Sequence, residues 1–112
     1  MLIGQLAART GTSARMVRHY ADAGLLGSVR RHNGYRDFDE DQVVRVRQIK
    51  ALLGLGLTVE QICAFEPCLG GEAGPPGCAA AQDVLRRHLV RIAARIEDLT
   101  VLRDRIVAVV GP

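Results

Sequence analysis

A short basic helix followed directly by a basic hairpin, within residues 12–36, constrains the fold of this chain most strongly. Thr12 and Ser13 follow the helix-breaking Gly11 and are both preferred N-cap residues, so they predict a helix that runs to about Ala23. The pair Asn33-Gly34 then stands between two short runs and is a strong hairpin signal, for which we expect a tight type I′ turn. A basic helix followed by a basic hairpin predicts a winged helix-turn-helix.

The charges of this stretch predict a polyanionic partner. Residues 1–36 contain six arginines and one acid, Asp22, a local balance of 6 − 1 = +5. Such clustering indicates phosphate binding, although a solvated basic face is the alternative. We expect the helix in the major groove of double-stranded DNA and the hairpin on the phosphates beside it. The predicted DNA-binding residues are Ser13, Arg15, Arg18, His19 and Tyr20 of the helix, and Arg30, Arg31, Asn33, Tyr35 and Arg36 of the hairpin.

The flanking residues predict three more helices around a small core. Ile3 to Arg9 form the first, and Thr58 with Gln61 has the spacing of a capping box for the fourth. Asp39 begins the third, and Gln42 three residues later resembles a second capping box. With 4% aromatic residues and no Trp, we expect an aliphatic core. The basic helix adds to it the residues at helical spacing, Met16, Val17, Tyr20 and Ala21.

The tail from Ala79 to Val110 predicts one long helix, because it contains neither Gly nor Pro. Its apolar residues alternate at steps of four and three, as in a coiled coil. The predicted seam comprises Leu85, Leu89, Ile92, Ile96, Leu99, Ile106 and Val110, with Arg103 at the missing position. About 30 residues at 1.5 Å each outrun a domain this small. We therefore expect a homodimer rather than a helix packed against its own chain.

The three cysteines leave the question of sensing open. Cys63, near the end of the fourth helix, is predicted to be a small buried core residue rather than a ligand, and it stays among the effector or redox candidates. Cys68 and Cys78 bracket nine residues, seven of them Gly, Pro or Ala, and so short a loop can bring its ends within disulfide range. The pair has three interpretations: a thiol-redox or electrophile switch, a soft-metal site for zinc, copper or mercury, or no sensing role. The loop lies between the DNA-binding domain and the long helix, so closing it could change the orientation of one relative to the other.

No motif predicts catalysis or secretion. The histidines are scattered at His19, His32 and His88, and no phosphate loop, zinc-protease motif or nucleophile elbow occurs, which argues against an enzyme. The sequence also lacks a signal-peptide pattern and a bilayer-spanning run, so we expect a cytoplasmic protein without a membrane partner, with its thiols reduced at rest. The remaining rival is a coiled-coil adaptor that binds protein, which explains the tail but not the arginine cluster.

Several short motifs over residues 1–66 resemble, in order and spacing, the MerR family of bacterial transcription regulators. The matching motifs are Ile3-Gly4, Thr10-Gly11-Thr12-Ser13-Ala14-Arg15, His19-Tyr20, Gly24-Leu25-Leu26, Asn33-Gly34-Tyr35-Arg36 and Leu55-Gly56-Leu57. Met16 departs from the usual Thr or Ala, and His19 from the commonest Tyr. Both departures bear on base preference.

The resemblance implies a mainly α fold with three parts. These are a winged helix-turn-helix DNA-binding domain (1–66), a Gly/Pro-rich cysteine loop (67–78) and a dimerisation helix (79–112) that pairs antiparallel in a homodimer. It also implies a palindromic promoter operator whose two RNA polymerase elements lie too far apart, and a dimer that untwists and bends this DNA. It does not supply the effector, because the cysteine loops of related metal and iron–sulfur regulators follow the long helix. The cofactor and the metal, if any, stay unknown.

Overall fold

The computed structural model describes residues 1–71 and 78–111, and this part of the chain is mainly helical. The elements are α1 (Ile3–Thr10), α2 (Ala14–Asp22), β1 (Val29–Arg30), β2 (Arg36–Asp37), α3 (Glu40–Leu53), α4 (Val59–Ile62), a 3₁₀ helix (Cys63–Cys68) and α5 (Ala79–Val110). The chain divides into two compact units, Met1–Gln82 and Asp83–Pro112. Half of the predicted Gly/Pro loop (67–78), namely residues 72–77, lies outside the described residues.

The helices α1 and α2 form the predicted helix-turn-helix. Gly11 takes a left-handed φ of 64° at the turn, which β-branched residues avoid. The Ser13 hydroxyl accepts a hydrogen bond from the Met16 N–H at 3.1 Å and so caps α2 as predicted. From α3, Lys50 Nζ donates to the carbonyl oxygens of Thr10 at 2.9 Å and Gly11 at 3.0 Å. Lys50 thus ties the turn between α1 and α2 to α3, and Ser13 caps the helix that follows the turn.

The strands β1 and β2 pair antiparallel and form the predicted wing. The type I′ turn is wrong, because Gly34 has a φ of 85° whereas Asn33 has no positive φ. Instead the Gly34 N–H donates to the Arg31 carbonyl at 2.9 Å, and Asn33 Oδ1 accepts from the Tyr35 N–H at 3.2 Å. An Asn side chain that bonds the backbone two residues on stabilises such a turn locally. The cross-strand pairs are Val29 with Asp37 and Arg30 with Arg36.

The core of the first unit contains aromatic as well as aliphatic residues, which corrects the expectation of an aliphatic core. Three of the four Tyr and Phe residues are buried in it. Its largest fully buried side chains are Tyr20, Phe38, Phe65, Leu6, Leu25, Ile49, Ile62, Val17 and Val46. Thr58 and Gln61 form the predicted capping box. Asp39 is the N-cap residue of α3, but its side chain makes no capping bond, so the second capping box is wrong.

The helix α5 is 32 residues long, and of these only Ala81, in its first turn, is buried. The predicted seam residues Leu89, Ile96 and Ile106 are 65%, 60% and 63% exposed within the single chain. Residues 83–110 therefore lack an apolar core of their own. Among the described residues, no helix combines the length and apolar character needed to cross a membrane.

Candidate nucleic-acid interface and cysteine pair

One face of α2 presents the predicted recognition residues to solvent. Arg15, Arg18 and His19 are exposed, and their spacing of three and four places them on the same side of the helix. Val17 and Tyr20 on the opposite side are 0% and 2% exposed. Tyr20 is thus a core residue, and its predicted contact with DNA stays a prediction. Burial also raises the pKa of the Tyr20 phenol above its ordinary value.

The arginines of α2, Arg15 and Arg18, form no ion pair with the described residues. Neither Arg15 nor Arg18 forms a salt bridge with a carboxylate of residues 1–71 or 78–111. An unpaired guanidinium presents a fork of donors that matches phosphate oxygens or the edge of a guanine. The geometry therefore leaves both side chains available to an external acceptor.

The arginines of the wing are largely engaged, which sequence reasoning missed. Arg36 Nη2 lies 3.0 Å from Asp22 Oδ1, and Asp22 ends the exposed face of α2, so this pair holds β2 beside that helix. Arg31 Nη2 lies 3.1 Å from Asp37 Oδ2. Arg30 Nη1 donates to a backbone carbonyl of the turn at 3.3 Å. Net charge over residues 1–36 could not show these pairs, because pairing depends on the folded positions of the acids.

Asp37 anchors the wing to the start of the chain. Its Oδ1 accepts from the Met1 amino group at 2.8 Å, while Oδ2 accepts from Arg31. These hydrogen bonds, with the Met1 amino group contributing most and Arg31 next, lower the pKa of the Asp37 carboxyl below its ordinary value. The wing, with an exposed β1 and a half-buried β2 of two residues each, is thus held by charged hydrogen bonds rather than by extensive burial.

The helix α2 and the wing share one open recess of about 260 Å³. Arg18 contributes from α2, and Arg30, Tyr35 and Arg36 contribute from the wing. The structure therefore brings four of the predicted DNA-binding residues to one place. His19 lies apart from them, on a second recess of about 440 Å³ that it shares with Cys63.

Cys63 is exposed, so the prediction of a buried core thiol is wrong. The helical turn at this point buries Ile62 and Phe65 instead, both at 0% exposure. The Cys63 sulfur hydrogen-bonds the Val59 carbonyl at 3.3 Å and lies 3.7 Å from the Ala23 carbonyl. At about 3.6 residues per turn, Ile62 and Phe65 lie on one side of the helical turn and Cys63 lies on another. The sequence alone did not show which of these sides faces the core.

Cys68 and Cys78 are joined by a disulfide, with their Cα atoms 5.8 Å apart. This separation lies in the usual range for a disulfide. We expect free thiols at rest because the cytoplasm is reducing. The structure instead has Cys68 and Cys78 in the disulfide-bonded form. Cys68 is buried at 8% exposure. Within the described residues, no group of three or more His, Cys, Asp or Glu side chains could hold a metal ion.

Fold and surface together define a winged helix-turn-helix domain followed by a long helix. The family model described as "MerR HTH family regulatory protein" matches residues 1–65, and the model described as "MerR, DNA binding" matches residues 43–109. The chain belongs to the MerR family of helix-turn-helix regulatory proteins.

Relatives and solved structures agree with this assignment. The nodulation protein NolA of Bradyrhizobium elkanii is 38% identical over 105 residues, covering 93% of this chain and 44% of NolA. The transcriptional regulator HmrR of Rhizobium leguminosarum bv. viciae is 34% identical over 103 residues, covering 92% of this chain and 78% of HmrR. The chain thus spans less than half the length of NolA.

The fold also matches the crystal structure of the transcription regulator PbrR691 from Ralstonia metallidurans CH34 in complex with lead(II). The TM-score is 0.77 at 23% identity, over 96% of this chain and 83% of PbrR691. At this identity the likeness establishes the fold.

Proposed function

We propose that this protein is a transcription regulator that binds double-stranded promoter DNA as a homodimer, in the cytoplasm and at promoters used by RNA polymerase. The observation that carries the proposal is the face of α2, where Arg15 and Arg18 are exposed and without a carboxylate partner among the described residues. A basic helix surface beside a basic wing fits a major groove and its flanking phosphates. Family membership supports the same function.

The two groups of basic residues have different roles in this proposal. Arg15, Arg18 and His19 read base edges from α2, with Ser13 at the start of that helix. Arg30, Arg31, Asn33, Tyr35 and Arg36 bind or position the backbone from the wing. Arg36 reaches a phosphate only by sharing or leaving its partner Asp22, so its contribution is smaller than its charge suggests.

The helix α5 supplies the dimer in this proposal. Its seam has no partner within residues 83–110, and a second copy would remove that seam from water. The seam residues are Leu85, Leu89, Ile92, Ile96, Leu99, Ile106 and Val110. The dimer would carry two copies of the first unit, Met1–Gln82, which we call the head. Two heads on one dimer match the symmetry of a palindromic operator.

The cysteine pair provides the regulatory input. In the step we propose, the thiols of Cys68 and Cys78 exchange with an external disulfide such as oxidised glutathione. The protein gains one S–S bond, and the external disulfide is reduced to two thiols, so that protons and electrons balance. We expect the two forms to differ in DNA affinity because the disulfide ties Cys68, at the end of the 3₁₀ helix, to Cys78, which directly precedes α5.

A soft metal is the second candidate input, since the PbrR691 structure holds lead(II). The Cα atoms of Cys68 and Cys78 are 5.8 Å apart in the disulfide, and once reduced the two thiolates could ligate a thiophilic ion. Here the ion would bridge the same two cysteines, and its addition would change DNA affinity in the reduced protein. The Cys68→Ser/Cys78→Ser variant removes both inputs and serves as their common control.

The test of DNA binding is selection of duplexes from a random library by the purified protein, followed by titration of the selected duplex over a range of salt. A regulator enriches a palindromic sequence, and its affinity falls linearly with salt on a double logarithmic plot. If no sequence is enriched and salt has no effect, the protein is instead a coiled-coil adaptor. Titrations of the oxidised, reduced and zinc-loaded forms then identify the input.

A further inference from the structure

The side chain of Arg45, in α3, joins two segments that are distant in sequence. Its Nε donates to the Leu25 carbonyl at 2.9 Å, and its Nη1 donates to the Leu69 carbonyl at 3.2 Å. The remaining nitrogen, Nη2, pairs with Glu66 at 3.1 Å. Leu25 lies just after α2. Leu69 is the first residue inside the ring that the Cys68–Cys78 disulfide closes, which we call the disulfide ring. One guanidinium, 14% exposed, therefore links the ring to the connection between α2 and the wing.

Two neighbours of Arg45 on α3 extend this link in both directions. Gln42 Oε1 accepts from the Gly27 N–H at 2.8 Å, two residues before β1. Gln48 Oε1 accepts from the Gly70 N–H at 2.7 Å. Spacings of three residues place Gln42, Arg45 and Gln48 along one side of α3. At one end, this row of side chains holds Gly27, in the segment 25–28 before β1 that we call the wing root. At the other end it holds Gly70, near the start of the disulfide ring.

The ring approaches α3 closely at Gly70. A Cβ added there would lie 3.2 Å from an oxygen of Asp41 and 3.5 Å from Arg45 Nη1, and Gly70 has a φ of 79°. Both features suit glycine and disfavour other residues. Glycine at position 70 therefore lets the backbone pass close enough to α3 for the Leu69 carbonyl to reach Arg45.

We propose that Arg45 is the positioning residue through which the redox state of Cys68 and Cys78 reaches the wing. This inference rests on the redox input proposed above. The closed ring restrains Leu69. The Arg45 guanidinium is planar and its donors have a fixed geometry, so it fixes the position of the Leu25 carbonyl relative to the Leu69 carbonyl. Opening the ring frees the Leu69 carbonyl, so that the restraint on Leu25, and with it on the wing root, is lost.

The coupling must act in both directions. If oxidation changes DNA affinity by a given factor, DNA must change the thiol–disulfide equilibrium by the same factor. A tenfold change in affinity corresponds to about 30 mV in the midpoint potential of the cysteine pair. This second readout would not respond to a merely structural role of Arg45.

The experiment compares dissociation constants for the selected duplex in reduced and in oxidised glutathione. The native protein should show a ratio within the range of about 5 to 150 that is typical of allosteric coupling. Arg45→Met should bring this ratio close to one and abolish the DNA-induced shift in midpoint potential. The matched control is Arg47→Met, because Arg47 is exposed on the same helix and makes no hydrogen bond to the described part of the ring or to the wing root.

Gln48→Met guards against the possibility that Arg45→Met fails to fold, since it releases the ring from α3 without touching Leu25. It should reduce the ratio while the thermal transition stays cooperative. A native ratio of one would overturn the redox input and the role of Arg45 together. A native ratio well above one that both Arg45→Met and Gln48→Met retain would overturn the role of Arg45 alone.

Discussion

The first unit and the long part of α5 differ in where their apolar side chains go. In the first unit, residues such as Leu6, Ile49 and Phe65 are fully buried against their own chain. In α5, seam residues such as Ile96 and Leu99 are 60% and 50% exposed. Both segments are helical, so secondary structure does not account for the contrast.

The contrast indicates which part of the molecule would depend on a second copy in the proposed dimer. Isolated helices are only marginally stable in water without tertiary packing. The first unit gains that packing from its own core, whereas residues 83–110 do not. We therefore expect the head to fold at any protein concentration and α5 to be stabilised by association.

The largest expected effect comes from charging the seam. Replacing Ile96 and Leu99 together with Asp would bury unpaired carboxylates between two helices and should abolish the dimer. Sedimentation velocity would show a monomer whose head keeps its cooperative unfolding transition. Val90→Asp/Val101→Asp is the matched control, because these residues are also exposed on α5 but lie off the seam. A double seam variant that stays dimeric would refute the seam assignment.

A core truncation in the head should have the converse effect. Ile49→Ala removes a fully buried side chain and should lower the free energy of unfolding of the head by about 2–5 kcal/mol. Denaturant titrations at two protein concentrations would show the same loss at both. Leu99→Ala should instead produce a loss that depends on concentration, and equal behaviour of the two variants would erase the contrast.

Within the head, the exposed arginines should separate into two classes. Arg15→Ala and Arg18→Ala should relax sequence preference, at about 1–3 kcal/mol of discrimination for each base contact. Arg36→Ala should weaken binding to selected and random duplexes by the same factor, because a phosphate contact carries no sequence information. Competition titrations with both duplexes measure this. Equal losses on both duplexes for Arg15→Ala and Arg18→Ala would exclude their major-groove role.

The smallest expected effect concerns the wing in acid. Because its pKa is lowered in the folded protein, Asp37 stabilises the wing above its unfolded pKa of about 3.9. That stabilisation is lost as the pH falls through the lower, folded pKa. Amide exchange should therefore show β1 and β2 opening in acid before the core does. In Asp37→Asn the wing should already be weakened at neutral pH and lack this acid step; an unchanged step would show that another group causes it.

Local sequence signals predicted most elements of the fold. The cap at Ser13, the capping box at Thr58 and the glycine at the turn of the helix-turn-helix act between residues close in sequence. Such signals fail where the outcome depends on distant residues. By pattern, Tyr20 fits both the core side of α2 and the predicted set of DNA-binding residues, and only the folded structure shows that it is buried.

The sequence by itself determined the helices, the wing, the heptad seam and the nearness of Cys68 to Cys78, because each depends on periodicity, capping or chain length over short separations. The tertiary structure alone decided which arginines are paired and which are available. It also decided that Cys63 faces outward and that Arg45 joins the disulfide ring to the wing root. The physical reason is that hydrogen bonds and ion pairs form between groups that meet only after folding, such as Arg36 with Asp22, 14 residues away, and Arg45 with Leu69, 24 residues away.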